Sequence, residues 1–259
     1  VHDALKNAER ALSEYEAKLG LVAKFRRSSD AVRQIDSMID STIELLERGG
    51  AGSYGGGQQW SADKTMKSCG CGIIAGLDML LYMRRNLPGC GAIPFAAGED
   101  GECIPDGVYF SYADRLRRYL PLIPGRGING LMLTAGLGLF FLRYGVPYTI
   151  RWGVLTGGLF DAISDMLGQN LPVILAVGPN FPRFWRDDKL SLYRRTAAGE
   201  YFASGAAKAH YVVVTGMDAD WLRISSWGRE YFINRREYVT YGRAHSLPLL
   251  NSIAVLKRR

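Results

Sequence analysis

Histidine is scarce in this sequence, and the scarcity narrows the chemistry that the protein can perform. His2, His210 and His245 are the only histidines among 259 residues, and the first and last lie near the two ends. If the protein exchanges protons through an imidazole near neutral pH, His210 is therefore the expected residue. A single histidine heading an apolar segment is also a common core residue, so a partner is needed before a catalytic role is favoured.

Cysteine is also rare, because only Cys69, Cys71, Cys90 and Cys103 occur. Four cysteines are too few for a disulfide scaffold at this length, so a reducing compartment or a catalytic thiol is favoured. The sequence begins at Val1 and shows no secretory signal segment. We therefore expect a start shortened by processing or truncation, with the cytoplasm the favoured location and the localisation otherwise open.

Several binding and membrane functions find no support in the pattern. The longest apolar run, 131–142, is too short to span a bilayer and contains two glycines, so it predicts a buried helix. The net charge is +7, but the cations are scattered in short groups and form no stripe typical of nucleic-acid binding. The one-residue gap between Cys69 and Cys71 does not fit a zinc site, and no metal or cofactor is expected.

Three regions can be distinguished along the chain. Residues 1–48 predict two amphipathic helices that pack on the main domain, act as a pro-segment or bind a protein partner. Residues 49–57 hold six glycines and predict a flexible linker, and 58–259 form the main domain. Helices are predicted after Cys71 to about residue 85 and at 112–119, 130–143 and 159–167; strands are predicted at 147–152, 172–177, 210–215, 221–225, 231–234 and 252–256. This order indicates an α+β domain in two layers, with 179–209 as a hairpin-like flap.

Cys71 is a candidate nucleophile because it stands at the predicted start of a helix. The exposed N–H groups there carry partial positive charge, which lowers a thiol pKa and raises its reactivity. The separation from His210 is 210 − 71 = 139 residues, within the range of about 130–150 quoted for papain-type pairs. The alternative is that the cysteine is small core filling.

The chain resembles the papain-like cysteine peptidases, nearest the bacterial subgroup that processes bacteriocin leaders. The resemblance covers roughly 58–256 and is carried by three segments. These are Gln59-Trp60 with Cys71-Gly72, the strands 171–177 and 210–218, and the turn Ile-Ser-Ser-Trp-Gly at 224–228. It implies a helical N-terminal lobe, an antiparallel C-terminal sheet, and peptide-bond hydrolysis through a thioester acyl-enzyme. A peptide or protein is the implied substrate.

The resemblance also implies roles for individual residues. Cys71 would be the nucleophile and His210 the base, while Gln59, with Gln58 as its alternative, would hold the oxyanion. Cys71 is preferred to Cys69 because the positions three and six residues later, Ile74 and Leu77, give the helix a buried face, whereas Gly72 follows Cys69 by three. Trp227 would shield the histidine, and Trp227 and Trp60 would line the substrate cleft.

The place of the residue that orients the histidine is taken by Ser225, where the family has an amide or a carboxylate. A hydroxyl can accept a hydrogen bond from imidazole but cannot stabilise imidazolium as a carboxylate does. Activity would then use a Cys-His dyad, a water, or an acid such as Asp218. Two alternatives to a peptidase follow: a catalytically silent papain-like binding domain, and a transglutaminase- or acyltransferase-type enzyme with the same dyad.

Overall fold

The computed structural model describes Lys6 and residues 46–48, 51–95, 103–153, 158–179, 188–247 and 250–259. The two helices predicted within 1–48 therefore lie almost wholly outside the described residues. Where that region meets the described part, residues Leu46–Arg48 form a short strand and not the end of a helix. The boundary predicted for the main domain stays a prediction.

Six α-helices and a single turn of 3-10 helix at Gln58–Trp60 occur in the described part of the chain. The α-helices are α1 Lys64–Cys69, α2 Cys71–Asn86, α3 Asp106–Leu116, α4 Gly130–Arg143, α5 Leu159–Gly168 and α6 Arg235–His245. The predictions for α2, α4 and α5 are confirmed, and α3 begins six residues before the predicted 112. Helix α6 was not predicted because its composition is polar; its sequence signal is Asn234, whose side chain caps the backbone N–H groups of Arg236 and Glu237.

The strands form three sheets, of which the largest has six antiparallel strands in the order β5-β8-β9-β10-β6-β7. The strands are β1 Leu46–Arg48, β2 Ala51–Ser53, β3 Ile104–Pro105, β4 Tyr148–Trp152, β5 Val173–Val177, β6 Leu190–Arg195, β7 Tyr201–Ala207, β8 His210–Met217, β9 Trp221–Ser226, β10 Arg229–Asn234 and β11 Ala254–Arg258. A small sheet joins β1, β2 and β3, and β4 pairs with β11. The predicted α+β class is confirmed, and the predicted hairpin in 179–209 is the pair β6 and β7.

The six-stranded sheet must curl, because only Lys208 and Ala209 connect β7 to β8. Three Cα steps span at most about 11 Å. In a flat sheet the two strands would lie four spacings apart, roughly 19 Å. The short connection therefore draws the two sides of the sheet toward each other, as in a partly closed barrel, and brings the first residue of β8 to the mouth of the curl.

Helix α2 packs against β8 in the centre of the domain. All of its residues from Gly72 to Met83 are buried, which explains the continuous apolar sequence that predicted it. Helix α4 is different, because one face is buried while Leu131, Leu139 and Leu142 stay more than half exposed. The prediction of a buried helix at 131–142 is therefore correct for one face and wrong for the other. No helix in the described ranges is long and apolar enough to cross a membrane.

The described part of the glycine-rich segment is packed into the domain and is not a flexible linker. Tyr54 is buried, and its hydroxyl lies 2.8 Å from the Thr215 hydroxyl. Its backbone N–H donates to the Gly228 carbonyl, and the Gly228 N–H donates to the Gly56 carbonyl, at 3.1 and 3.0 Å. A Cβ atom on Gly56 would lie 2.0 Å from the Tyr109 hydroxyl oxygen. The glycine at 56 is thus explained by close packing and not by flexibility.

Candidate active site

Cys71 and His210 stand at facing ends of α2 and β8. Cys71 is the first residue of α2, His210 is the first residue of β8, and the two elements pack together. Both side chains line one cavity of about 10 Å³, close to the size of a single water molecule. The backbone N–H of Tyr211, next to His210, acts on the Cys71 thiol in the direction that lowers its pKa. The structure therefore brings together the two residues that the sequence pairs over 139 positions.

Glycines on both sides of Cys71 allow this close approach. A Cβ atom on Gly70 would lie 2.4 Å from the Met66 carbonyl oxygen, at the junction of α1 and α2. A Cβ atom on Gly72 would lie 2.6 Å from Ile128 Cγ2 and 3.3 Å from Tyr211 Cδ2. A larger side chain at Gly72 would push the start of α2, and with it the thiol, away from β8, whereas one at Gly70 would disturb the junction with α1.

Burial determines the charge state of Cys71. Burial raises the pKa of its thiol to about 11, although the backbone N–H groups of Tyr211 and Gly72 act in the opposite direction. The sequence expectation that a helix start would lower this pKa is therefore wrong, since desolvation of the thiolate outweighs the N–H groups. At neutral pH the thiol carries its proton.

His210 is held in place by two neighbours. Its Nε2 atom lies 2.8 Å from the Ser226 hydroxyl oxygen, and its ring stacks on Trp227 with ring centres 4.5 Å apart. Burial lowers the pKa of the imidazole to about 4, so the ring is neutral at pH 7. Within the described residues no hydrogen bond joins it to Cys71, and the pair shares the cavity as neutral thiol and neutral imidazole.

The residue that orients His210 is Ser226 and not Ser225. The Ser225 hydroxyl donates to the Tyr54 carbonyl at 3.0 Å, on the side of the glycine-rich segment. Neighbouring residues of a strand point to opposite faces, so only one of the two serines can reach the ring. Ser225 still lines the small cavity, but its hydrogen bond holds Tyr54 in place.

Asp218 does not orient His210 either. It follows the end of β8 and is exposed, and its carboxylate caps the turn to β9 by accepting from the N–H groups of Asp220 and Trp221. Eight residues along a strand separate it from His210, a distance of roughly 26 Å at about 3.3 Å per residue. The alternative of an acid supplied by Asp218 is therefore wrong.

The two candidate glutamines have different surroundings. Gln58 lines the small cavity with Cys71 and His210, and its amide nitrogen donates to the Lys67 carbonyl at 3.2 Å. Gln59 instead donates its amide to the Trp227 carbonyl at 3.0 Å and is not a lining residue of the cavity. An amide nitrogen has two protons, so Gln58 keeps one for a ligand. Of the two candidates for the oxyanion residue, Gln58 and not the preferred Gln59 is therefore the one that lines the cavity.

The two tryptophans predicted to line the cleft also differ. Trp227 lines the site from its stacked position on His210 and adopts a φ of 52°. Trp60 packs against Gly228, the residue after Trp227: a Cβ atom on Gly228 would lie 2.1 Å from Trp60 Cη2. Trp60 is absent from the lining of the cavity and of the wider cleft beside it, so its position fits support of the turn.

Asp78 is a site residue that the sequence analysis missed. It lies two turns after Cys71 on α2, is buried, and lines the same small cavity. Its carboxylate accepts hydrogen bonds from the Gly56 N–H at 3.0 Å and the Tyr109 hydroxyl at 2.6 Å. Burial raises the pKa of this carboxyl to about 6, against both hydrogen bonds. A lone acid at the i+7 position of an otherwise apolar helix face was the available signal.

A wider cleft opens beside the small cavity and reaches the second thiol. It has a volume of about 390 Å³ and is lined by both Cys69 and Cys71. Cys69 ends α1, with its sulfur 3.4 Å from the Ser68 hydroxyl, and does not line the small cavity with His210. Cys69, Cys71 and Cys90 are free thiols, and no group of three or more His, Cys, Asp or Glu side chains suited to a metal occurs among the described residues.

Comparison with known proteins does not identify a family for the chain. No family model matches it, and no solved structure matches it. A stretch of 40 residues is 48% identical to a UPF0122 protein from Desulforamulus reducens and covers 15% of this chain. The chain spans about a third of that protein's length, since the match covers 34% of it. So short a match shows no family for the chain.

Proposed function

We propose that the chain is a papain-like cysteine peptidase that hydrolyses peptide bonds through Cys71 and His210. The observation that carries this proposal is the shared cavity of these two side chains, in which Ser226 and Trp227 hold the imidazole. A nucleophile and a base at one cavity, with the base held by a third group, is the arrangement that covalent catalysis requires.

The first chemical step is acylation of Cys71. A ring that donates its Nε2 proton to the Ser226 oxygen leaves Nδ1 free to take the thiol proton. The sulfur then attacks the peptide carbonyl carbon, and His210 returns the proton to the leaving amine as the C–N bond breaks. The product is a thioester on Cys71. Water attacks it, with His210 again taking a proton, and the acid and the free thiol are released.

Gln58 and the backbone of Cys71 supply the donors for the oxyanion. Gln58 and Cys71 both line the cavity, and Cys71 is the first residue of α2, where the backbone N–H has no partner within the helix. Donors held in place before the reaction cost no reorganisation when negative charge develops on the carbonyl oxygen. On this proposal, His210 takes up the proton only as the reaction proceeds, because both groups are neutral at rest.

The test is cleavage of a mixed peptide library, read by mass spectrometry, with wild-type protein and with Cys71→Ala. We expect defined cleavage products and a thioester adduct on Cys71 in acid-quenched samples, and neither with Cys71→Ala. The matched control is Cys69→Ala, which removes the neighbouring thiol and is expected to retain cleavage. Activity that persists in Cys71→Ala but is lost in Cys69→Ala would contradict the assignment of the nucleophile.

A catalytically silent binding domain is the second candidate, and the charge state of the pair favours it. With the thiol pKa near 11 and the imidazole pKa near 4, there is no resting thiolate-imidazolium pair. A binding domain predicts that library peptides bind but stay intact, and that iodoacetamide alkylates Cys71 no faster than free cysteine at pH 7. Peptide turnover that depends on both Cys71 and His210 would exclude this candidate.

A further inference from the structure

Two clefts meet at His210. The first, which we call the basic half, is the cleft of about 390 Å³ that contains Cys69 and Cys71. The second, which we call the apolar half, has a volume of about 620 Å³ and is lined by small and apolar residues of the β5 end and its neighbours, including Ala176, Val177, Pro179 and Leu250. Arg126, His210 and Tyr211 line both halves. A peptide crossing the site would thus meet different chemistry on its two sides.

The basic half carries three cationic side chains and no carboxylate among its described lining residues. The cations are Arg126, Lys189 and Lys208. The nearest acid in sequence, Asp188, belongs to a neighbouring pocket, where its Oδ2 atom lies 3.6 Å from His245 Nδ1. The guanidinium of Arg126 makes no ion pair with a carboxylate in the part of the chain that the structure describes. The described lining of the basic half therefore contains cations and no carboxylate.

Short turns fix two of these cations close to the reacting groups. Lys208 belongs to the two-residue connection into β8, where Ala209 has a φ of 47° and His210 follows directly. Arg126 lies in a turn closed by hydrogen bonds between Ile123 and Gly127, and the Gly127 N–H donates to the Ile123 carbonyl at 2.8 Å. Both cations therefore belong to tight backbone turns and not to long loops.

Clustering gives these charges an effect that single exposed cations lack. One exposed ion pair contributes little free energy, because water and salt screen it. Several charges of one sign around a concave, low-dielectric wall focus the field into the cleft and raise the local concentration of anions. The field acts on any carboxylate beside the scissile bond, whatever the rest of the peptide contains.

We infer that the enzyme selects peptides that place a carboxylate in the basic half of the cleft, within a few residues of the cleaved bond. The carboxylate comes from an Asp or Glu side chain or from a free C-terminus, since both present the same anion. The inference rests on the proposed peptidase function and adds a substrate class to it. Arg126 is the main specificity-determining residue, because it lies where both halves meet, and Lys208 is the second.

The experiment uses a panel of peptides built on one cleaved sequence. A single Glu is moved through each position from three before to three after the cleaved bond, and each peptide is matched with one that carries Gln. We expect one position at which Glu raises kcat/KM by about tenfold over Gln at low ionic strength, with the ratio falling as salt rises toward about 0.5 M. Amidated and free C-termini distinguish a side-chain carboxylate from a terminal one.

Charge-reversal variants assign the preference to the cleft. Arg126→Glu is expected to abolish the Glu preference, and Arg126→Glu with Lys208→Glu to favour Lys over Gln at the same position. The matched control is Arg118→Glu, the same charge change at an exposed residue that lines neither half of the cleft. Equal kcat/KM for Glu and Gln peptides at every position and at both C-termini would overturn the inference, as would a preference that Arg126→Glu leaves intact.

Binding measurements separate this inference from the proposed function. Dye-labelled Glu and Gln peptides are titrated with Cys71→Ala protein, in which no cleavage is expected, and followed by fluorescence anisotropy. We expect the Glu peptide to bind more tightly than the Gln peptide, and the double variant Cys71→Ala with Arg126→Glu to lose this difference. That result supports a carboxylate-selecting cleft even if no peptide is ever hydrolysed. Hydrolysis without any preference in rate or binding would retain the peptidase and overturn the selectivity.

Discussion

At the scale of single residues, two neighbouring serines have different tasks. Ser226 contacts the imidazole of His210, whereas Ser225 binds the carbonyl of Tyr54. We predict that Ser226→Ala lowers kcat by about tenfold with little change in KM, because the imidazole loses the group that fixes its tautomer and orientation. Removing such an orienting group acts on the transition state more than on substrate binding.

The matched control for Ser226→Ala is Ser225→Ala, one residue earlier on β9. It should leave kcat within about twofold and lower the free energy of unfolding by about 1 kcal/mol, since only a buried hydrogen bond is lost. The measurements are steady-state kinetics and urea unfolding of both variants. The reverse outcome, with kcat sensitive to Ser225 and insensitive to Ser226, would restore the assignment made from the sequence.

The serine pair also marks a limit of sequence reasoning. The types of residue at the site could be predicted, because a helix-start cysteine, a strand-start histidine and a Trp-Gly turn are local patterns. Which of two adjacent serines faces the histidine depends on strand pairing, and β8 contains a bulge between Val214 and Gly216 that shifts the register with β9. The exchange of Gln59 for Gln58 has a similar origin, since adjacent residues of a 3-10 turn point in directions about 120° apart.

At the scale of elements, the site depends on how closely α2 approaches β8. Gly72 is a contact point, where an added Cβ would lie 3.3 Å from Tyr211 Cδ2 on β8 and 2.6 Å from Ile128 Cγ2, just before α4. We predict that Gly72→Ala lowers both the free energy of unfolding, by about 1–2 kcal/mol, and kcat. Overpacking costs about 1–3 kcal/mol and exceeds the gain of about 1 kcal/mol in helix propensity. Denaturant unfolding and peptide hydrolysis measure the two effects.

Gly76→Ala, one turn further along the same helix, is the control for Gly72→Ala. A Cβ atom there would meet its nearest neighbours, Leu120 and Leu137, at 3.6 Å, which is an ordinary contact. This variant should therefore be more stable than wild type by about 0.5–1 kcal/mol and keep its activity. If both substitutions stabilised the protein equally, the tight α2–β8 contact would not exist.

The elements that could be predicted are those whose burial is continuous or strictly one-sided. Helix α2 and strands β5 and β8 lie in the core, and their sequences are correspondingly continuous apolar segments. Helix α6 packs only Tyr238 and Tyr241 inward and otherwise carries polar residues, so its periodicity was too weak to indicate a helix. The glycine-rich segment was misjudged for the opposite reason: the neighbours that require Gly56 lie on α2 and α3, far away in sequence.

At the scale of the whole molecule, two buried groups give stability opposite dependences on pH. His210 has a pKa of about 4 in the folded chain against an ordinary 6.5. Between these values the unfolded chain binds the proton more tightly, so its contribution to stability falls as the pH drops from 6.5 to 4. Asp78 has a pKa of about 6 against an ordinary 3.8, so the folded chain binds its proton more tightly and stability rises as the pH drops from 6 to 4.

The two effects are of similar size and should largely cancel in the wild-type protein. A shift of two to two and a half pKa units corresponds to about 3 kcal/mol for each group. Asp78→Asn removes the stabilising uptake of a proton. It is predicted to be more stable than wild type at pH 7 and to lose this advantage as the pH falls below 6, where only the destabilising titration of His210 remains. His210→Gln removes the opposing group and is predicted to make stability rise toward pH 4 relative to wild type.

Urea unfolding of both variants and of the double variant, at pH 4.5 and pH 7, tests this cancellation. Relative to wild type, the change in the free energy of unfolding between the two pH values should be negative for Asp78→Asn and positive for His210→Gln, by about 2 kcal/mol each. The double variant should return close to the wild-type dependence, because both titrating groups are gone. If the pH dependence of the free energy of unfolding changed in the same direction in both single variants, one of the two groups would not be buried as the structure places it. The arrangement of the cavity that they share with Cys71 would then be wrong.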